Sequence, residues 1–310
     1  MAGANGSFTL RRSTDGGRTW SGPVLAGPGM ASVSGRGHFV DVVWMTPTSE
    51  TKGQLHYARS TDGGATFSAR VLDPDLDISY LGMPLPLVAR GPHKTVAVLW
   101  FEMPGNDFGR TARVRVSTDG GRNFSRPSTI ASPDVTRAEL AVGDGGVYVV
   151  YMRWPQSGRT FLWKIRRSVD NGASWTSPRT VIDGDDPSLV ATGDDVYLAY
   201  RQFHDNNPVG LSVISSHNRA KSWSEPVVLE DRVELPHLSY DNGTLRLAYW
   251  SMPAGNISYR ISVDAVHWTD PENVVRTGGL PLGVGFAGQP IVLYQAWDVT
   301  TNLYVKARRQ

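Results

Sequence analysis

The chain has 310 residues and a net charge of +2, a balance too mild to point to nucleic acid. It has no cysteine, so disulfides are excluded, and no run of 18 or more apolar residues that would cross a membrane as a helix. Hydrophobic residues make up 40 %, with 10 Trp, 11 Tyr and 9 Phe for a core, and the 33 Gly and 20 Pro suit many short strands joined by turns.

The chain opens on Met1-Ala2-Gly3-Ala4-Asn5-Gly6. This start lacks the basic and apolar segments of a signal peptide, so as given the sequence reads as cytoplasmic, or as secreted if its N-terminus is trimmed. A strand and a distinctive octad follow, Ser13-Thr14-Asp15-Gly16-Gly17-Arg18-Thr19-Trp20. The octad returns at Ser60 to Phe67, Ser117 to Phe124 and Ser168 to Trp175. A worn copy runs from Ser216 through Asn218 to Trp223, and a copy one residue short spans Ser262, Asp264 and Trp268. Recurrence at this period signals a repeat architecture. The Asp-Gly or Asn-Gly core supplies the positive φ of a tight turn, and the Ser hydroxyl and Asp carboxylate bond the turn's own backbone. The box carboxylates therefore read as turn staples, not as catalytic acids.

Each interval between boxes repeats one grammar. A β-rich edge such as Arg70-Val71-Leu72 or Thr180-Val181-Ile182 is followed by a Pro- or Asp-bearing loop, then by a short small-residue strand such as Ala31 to Ser34 or Leu189 to Ala191. Next comes the most apolar strand, as at His38 to Trp44, Thr95 to Phe101 and Val147 to Met152, and then an alternating strand that runs into the next box. Four strands per unit with hairpin links, and no useful helical periodicity, predict an all-β propeller of four-stranded antiparallel blades in a single domain over residues 1–310. Six blades are expected, with the two termini sharing the closing blade; seven is the alternative if residues precede Met1.

The boxes resemble the Asp-box, or BNR, repeat of sialidases and other carbohydrate-active propellers. That resemblance implies boxes on one face and an active site on the other, lined by the loops that leave each apolar strand and precede each small-residue strand. The exits carry Trp44, Trp100 with Glu102, Arg153 with Trp154, Arg201 with Phe203, Trp250, and Trp297. Aromatic walls with a few convergent charges suit a sugar ring. Arg153 and Arg201, at nearly matching exits of neighbouring units, are expected to grip a substrate carboxylate, as in a sialic or uronic acid. Glu139 begins an innermost strand, where poor solvation would raise its pKa, and is the first candidate acid or base; Glu102 is the second. Asp186 lies on the same rim, His237 starts another innermost strand, His204 sits on a long exit loop, and Tyr80 and Tyr294 could face the cavity.

Asp73-Pro74-Asp75-Leu76-Asp77 departs from a calcium loop, since Ile78 stands where Gly is needed and Pro84 where the bidentate Glu belongs. No metal or cofactor is expected. Sialidases of the resembled family carry an Arg-Ile-Pro motif, three arginines, an Asp acid/base and a Tyr–Glu pair; this sequence has no Arg-Ile-Pro. Three functions stay open. The first is a glycosidase acting on an acidic glycan, and the second a non-catalytic lectin. The third is an intracellular propeller enzyme acting on a hydrophobic biosynthetic intermediate. In each case a small-molecule ligand at a central funnel, no nucleic acid, no membrane and a monomer are expected.

Overall fold

A computed structural model describes residues 7–15, 19–29, 31–78, 85–103, 109–154, 162–204, 207–252, 255–275, 279–286, 290–297 and 303–309, with side chains as far as 274 and excepting those of 204, 207 and 208. In chain order the strands are β1 (Ser7–Arg11), β2 (Pro23–Pro28), β3 (Ala31–Arg36), β4 (Phe39–Pro47), β5 (Lys52–Ser60), β6 (Ser68–Asp77), β7 (Leu87–Arg90) and β8 (Val96–Glu102). Then come β9 (Thr111–Ser117), β10 (Ser128–Ala131), β11 (Val135–Gly143), β12 (Gly146–Arg153), β13 (Leu162–Ser168), β14 (Arg179–Thr192), β15 (Asp195–His204) and β16 (Asn207–Ser216). The chain ends through β17 (Val227–Glu230), β18 (Val233–Asp241), β19 (Thr244–Ser251), β20 (Asn256–Ser262), β21 (Glu272–Val275), β22 (Gly279–Phe286), β23 (Pro290–Trp297) and β24 (Leu303–Arg309). There is no helix among the described residues.

Residues 1–13, 20–154 and 164–179 form one compact unit, and residues 14–19, 155–163 and 180–310 a second. In the first, β1 pairs with β2, four-stranded sheets run in the orders β3-β4-β5-β6 and β7-β8-β9-β10, and β11-β12-β13 follow. In the second the orders are β14-β15-β16-β17, β18-β19-β20-β21 and β22-β23-β24. The pairings within β3–β6, β7–β10, β14–β17, β18–β21 and β22–β24, and those of β1 with β2 and β11 with β12, are antiparallel. The four-strand grammar of the sequence is therefore present in the sheets β3–β6, β7–β10 and β18–β21. Their second strands are the apolar runs: Val96 to Phe101 of β8 are all buried, because both sheet faces are covered. The third strands alternate, as β5 does, with Leu55 and Tyr57 packed inward against Val88, Val98 and Trp100.

The boxes are built as the turn chemistry dictates. Ser117 Oγ donates to Asp119 at 2.8 Å and accepts from the Gly121 N–H at 2.9 Å, and Asp119 Oδ1 accepts the N–H groups of Arg122 and Asn123, each at 2.8 Å. The same staple forms at Ser60–Asp62, Ser168–Asp170, Ser216–Asn218 and Ser262–Asp264. The Ser168 hydroxyl and the hydrogen bonds from Ser174 hold the Asp170 carboxyl down at about 2. Comparable hydrogen bonds, led by the Asn123 N–H for Asp119 and by the Ser60 hydroxyl for Asp62, hold those two below the usual carboxylate range. Ionised at neutral pH and engaged by the turn's own donors, these carboxylates serve as staples of the box. Replacing the buried Ser117 by alanine strands the Gly121 N–H, and urea unfolding is expected to show a loss of about 1–3 kcal/mol.

Two features depart from the sequence reading. The edge Thr180-Val181-Ile182, the expected loop at Asp183 to Pro187 and the small-residue strand after it form one continuous strand, β14. The chain bends inside β14 where Asp186 takes φ of +51° and the register with β15 shifts between Asp185 and Ser188, so a kink does the work of a loop. Also unforeseen is a buried ionic cluster in the first unit. Asp41 of β4, fully buried, accepts from Arg90 Nε and the Tyr57 hydroxyl, and from a second Arg90 nitrogen at 2.8 Å. Burial, with the Asp41 charge second, pushes the Tyr57 hydroxyl well above its ordinary pKa, so it stays a donor.

Candidate functional site

One hollow in the first unit lies where β11 begins. Arg110, Asp134, Val135, Thr136, Arg137 and Trp154 line about 480 Å³, within the roughly 300–1,000 Å³ typical of ligand sites. Backbone hydrogen bonds fix its three walls: the Val135 N–H donates to the Arg110 carbonyl at 3.0 Å, and the Trp154 N–H to the Asp134 carbonyl at 2.8 Å. Asp134 holds φ of +67°, a left-handed conformation that for a non-glycine residue persists only where its surroundings enforce it. Gly109 lies so close that an added Cβ would meet Pro133 at 2.8 Å.

A bulge between Val135 and Arg137 resets the alternation of β11. Ala138 and Leu140 then enter the apolar cluster with Val147 and Tyr151, while Arg137 and Glu139 fall on the opposite face, one pleat apart. Glu139 is half-buried and has no hydrogen-bonding or ionic partner among the described residues. Burial pushes its carboxyl up to about 8, so it holds a proton at neutral pH, as a general acid must. Trp154, at 69 % exposure, offers an open indole at the rim of the hollow, the geometry for stacking on a ring. Arg153, beside it, donates Nε to the Pro133 carbonyl at 2.9 Å.

Several expected site residues have other work. Glu102 accepts from Trp100 Nε1 at 2.8 Å and Arg113 Nε at 3.1 Å, so it is committed to an ion pair. Trp100 is fully buried and Trp44 nearly so, the latter stacked on His56 at 5.0 Å; both pack in the apolar core. Trp250 packs beside Ala248, Ile257 and Tyr259. In the second unit, Arg201 donates to Glu234 Oε1 at 3.0 Å, lies 3.5 Å from Asp185 and 3.9 Å from Asp186, and stacks over Phe203 at 5.2 Å. Its guanidinium is thus held among three carboxylates. Arg153 belongs to the first unit and Arg201 to the second. His237 sits half-buried opposite Ala248. Tyr80 lies outside the described residues, and so do the side chains of His204, Tyr294 and Trp297. No group of three His, Asp or Glu that could hold a metal occurs among the described residues. No helix long and apolar enough to cross a membrane occurs among the described residues.

Residues 1–198 match the BNR repeat-like domain. The chain belongs to this family. None of the curated proteins matches it. Among solved structures, a Hadza microbial sialidase aligns with a TM-score of 0.55 at 15% identity over 90% of this chain and 65% of its own. A Trypanosoma rangeli sialidase in complex with the inhibitor DANA gives 0.54 at 11% identity over 90% of this chain and 54% of its own. An α-L-arabinofuranosidase from Fusarium graminearum, in complex with an iminosugar inhibitor, gives 0.59 at 12% identity over 90% and 92%. At such identities the likeness is one of fold, a propeller-like arrangement of antiparallel sheets. The chain spans about two thirds or less of the two sialidases.

Within this BNR repeat-like chain, the boxes and the strand grammar are legible in the sequence, and Glu139 and Trp154 are candidates that it offers beside this hollow. Arg110, Asp134 and Arg137, which line the hollow, are not among the residues that the sequence singles out. The available signal was the Ser132-Pro133-Asp134 turn immediately ahead of an innermost strand, with Arg137 two residues before Glu139.

Proposed function

We infer that this chain is a glycoside-hydrolase-like protein that takes a carboxylate-bearing sugar in the hollow beside Trp154, with Glu139 as the proton donor. The observation that carries this is the placement of Glu139, without a partner among the described residues, on the same face of β11 as Arg137, which lines the hollow. Trp154 supplies the stacking surface. Arg110 and Arg137, with Arg153 next to them, supply positive charge, and Asp134 is the one carboxylate among the described lining residues, which favours an anionic over a neutral ring. Residues 1–310 are taken as one six-bladed propeller domain whose termini share a blade, working as a monomer.

The test is hydrolysis of a fluorogenic panel comprising a sialoside, a uronoside and an arabinofuranoside, by the native protein, Glu139→Gln and Trp154→Ala. Turnover that survives Glu139→Gln removes the assignment of the acid. A non-catalytic lectin is the second reading, and it draws on one specific observation: the carboxylates of Glu102 and Glu234 are held by Arg113 and Arg201. Saturable glycan binding lost in Trp154→Ala, with no product from any substrate, would select it.

A further inference from the structure

A second hollow, of about 240 Å³, opens among the turns of the first unit, at the opposite ends of β11 and β12 from Val135 and Trp154. Its walls come from the β7–β8 turn, the β11–β12 turn and the two boxes that begin at Ser117 and Ser168. It is a built site. The β7–β8 turn is closed by Gly91 N–H to Thr95 carbonyl at 2.9 Å and Thr95 N–H to Pro92 carbonyl at 3.0 Å. A Cβ on Gly91 would meet Val142 at 2.3 Å, and one on Gly146 would meet the Ser168 carbonyl at 2.2 Å, so the turns are held in direct contact. Asn171 holds φ of +58° beside its box glycine.

The lining mixes hydroxyl, amide and carboxylate groups from Thr95, Thr118, Asn171 and Asp144 with the apolar surfaces of Pro92 and Val169. His93 Nε2 contacts Asp144 Oδ1 at 3.0 Å across the rim. A single carboxylate is too few for a divalent cation, and it repels anions. At 240 Å³ the space is smaller than the roughly 300–1,000 Å³ of drug-sized sites. The geometry points to a neutral sugar ring as ligand: one pyranose unit whose hydroxyls meet Thr118, Asn171 and Asp144 while its C–H face lies on Val169. This is a secondary carbohydrate site on the box side of the sheets, independent of any chemistry at Glu139.

The test is titration of the whole chain with methyl glucoside, methyl galactoside and methyl mannoside, read by ligand-observed NMR. Saturable binding by at least one of them, in the millimolar range expected of so small a ligand, is the supporting result. Thr118→Val and Asn171→Gly, the latter compatible with the left-handed backbone, should each weaken it at least threefold. Val169→Trp, at a 58 % exposed position, should block it while leaving thermal unfolding unchanged. Trp154→Ala should leave it intact. Absence of saturable binding by all three glycosides, or binding that survives both Thr118→Val and Val169→Trp, overturns the assignment.

Discussion

Glu139→Gln is expected to reduce glycoside turnover by about 10²–10⁴-fold, the usual contribution of a positioned acid, while leaving the sheet intact. The substitution keeps the shape and removes the acidic carboxyl proton. The native rate should fall as pH rises through about 8, where the folded carboxyl ionises and stops donating. The same group leaves a signature in stability that does not depend on substrate. Its ordinary value is 4.5 and burial raises it to about 8 in the folded chain. Between those limits unfolding releases a proton, so the contribution is full below the lower value and is lost as pH rises through the upper one. Native stability relative to Glu139→Gln should therefore decline with pH across that window, by at most about 1.4 kcal/mol per pH unit. Denaturant midpoints for both proteins at several pH values check this; parallel curves would mean that Glu139 is well solvated.

Arg90→Met is expected to cost about 3–5 kcal/mol, because it leaves the Asp41 carboxylate buried without its counter-charge. Asp41 is fully buried and Arg90 nearly so, and the guanidinium also contacts the Phe39 ring at 4.9 Å and the Gly120 carbonyl at 3.4 Å. Asp41→Asn alone should cost a comparable amount by orphaning Arg90. The double variant should recover much of the loss, because neither charge then remains buried and unpaired, and the coupling can be read from a double-mutant cycle in urea. Equal and additive losses would mean that solvent reaches the pair.

The sequence by itself determined the repeat. Ser, Asp and Gly at fixed offsets admit essentially one turn, since a hydroxyl and a carboxylate two residues apart satisfy the same short loop each time, as at Ser117–Asp119 and Ser168–Asp170. The apolar second strand, as at Val96 to Phe101, declares its burial through composition alone. These are local properties, and local chemistry is written in neighbouring residues.

Which exit side chains are buried and which stay open was decided only by the tertiary structure. Trp44 and Trp100 stand at strand exits like Trp154, yet the first two are buried among partners from other strands and the third is open, a difference set by packing across long sequence separations. Arg201 reads as an anion clamp in the sequence, and only the structure shows Glu234, 33 residues away, on its guanidinium. The bulges after Val135, Asp185 and Glu234 re-aim the innermost strands, and one residue of register slip exchanges the faces of everything that follows. Register and charge pairing depend on contacts between distant strands, and no pattern within a single strand encodes them.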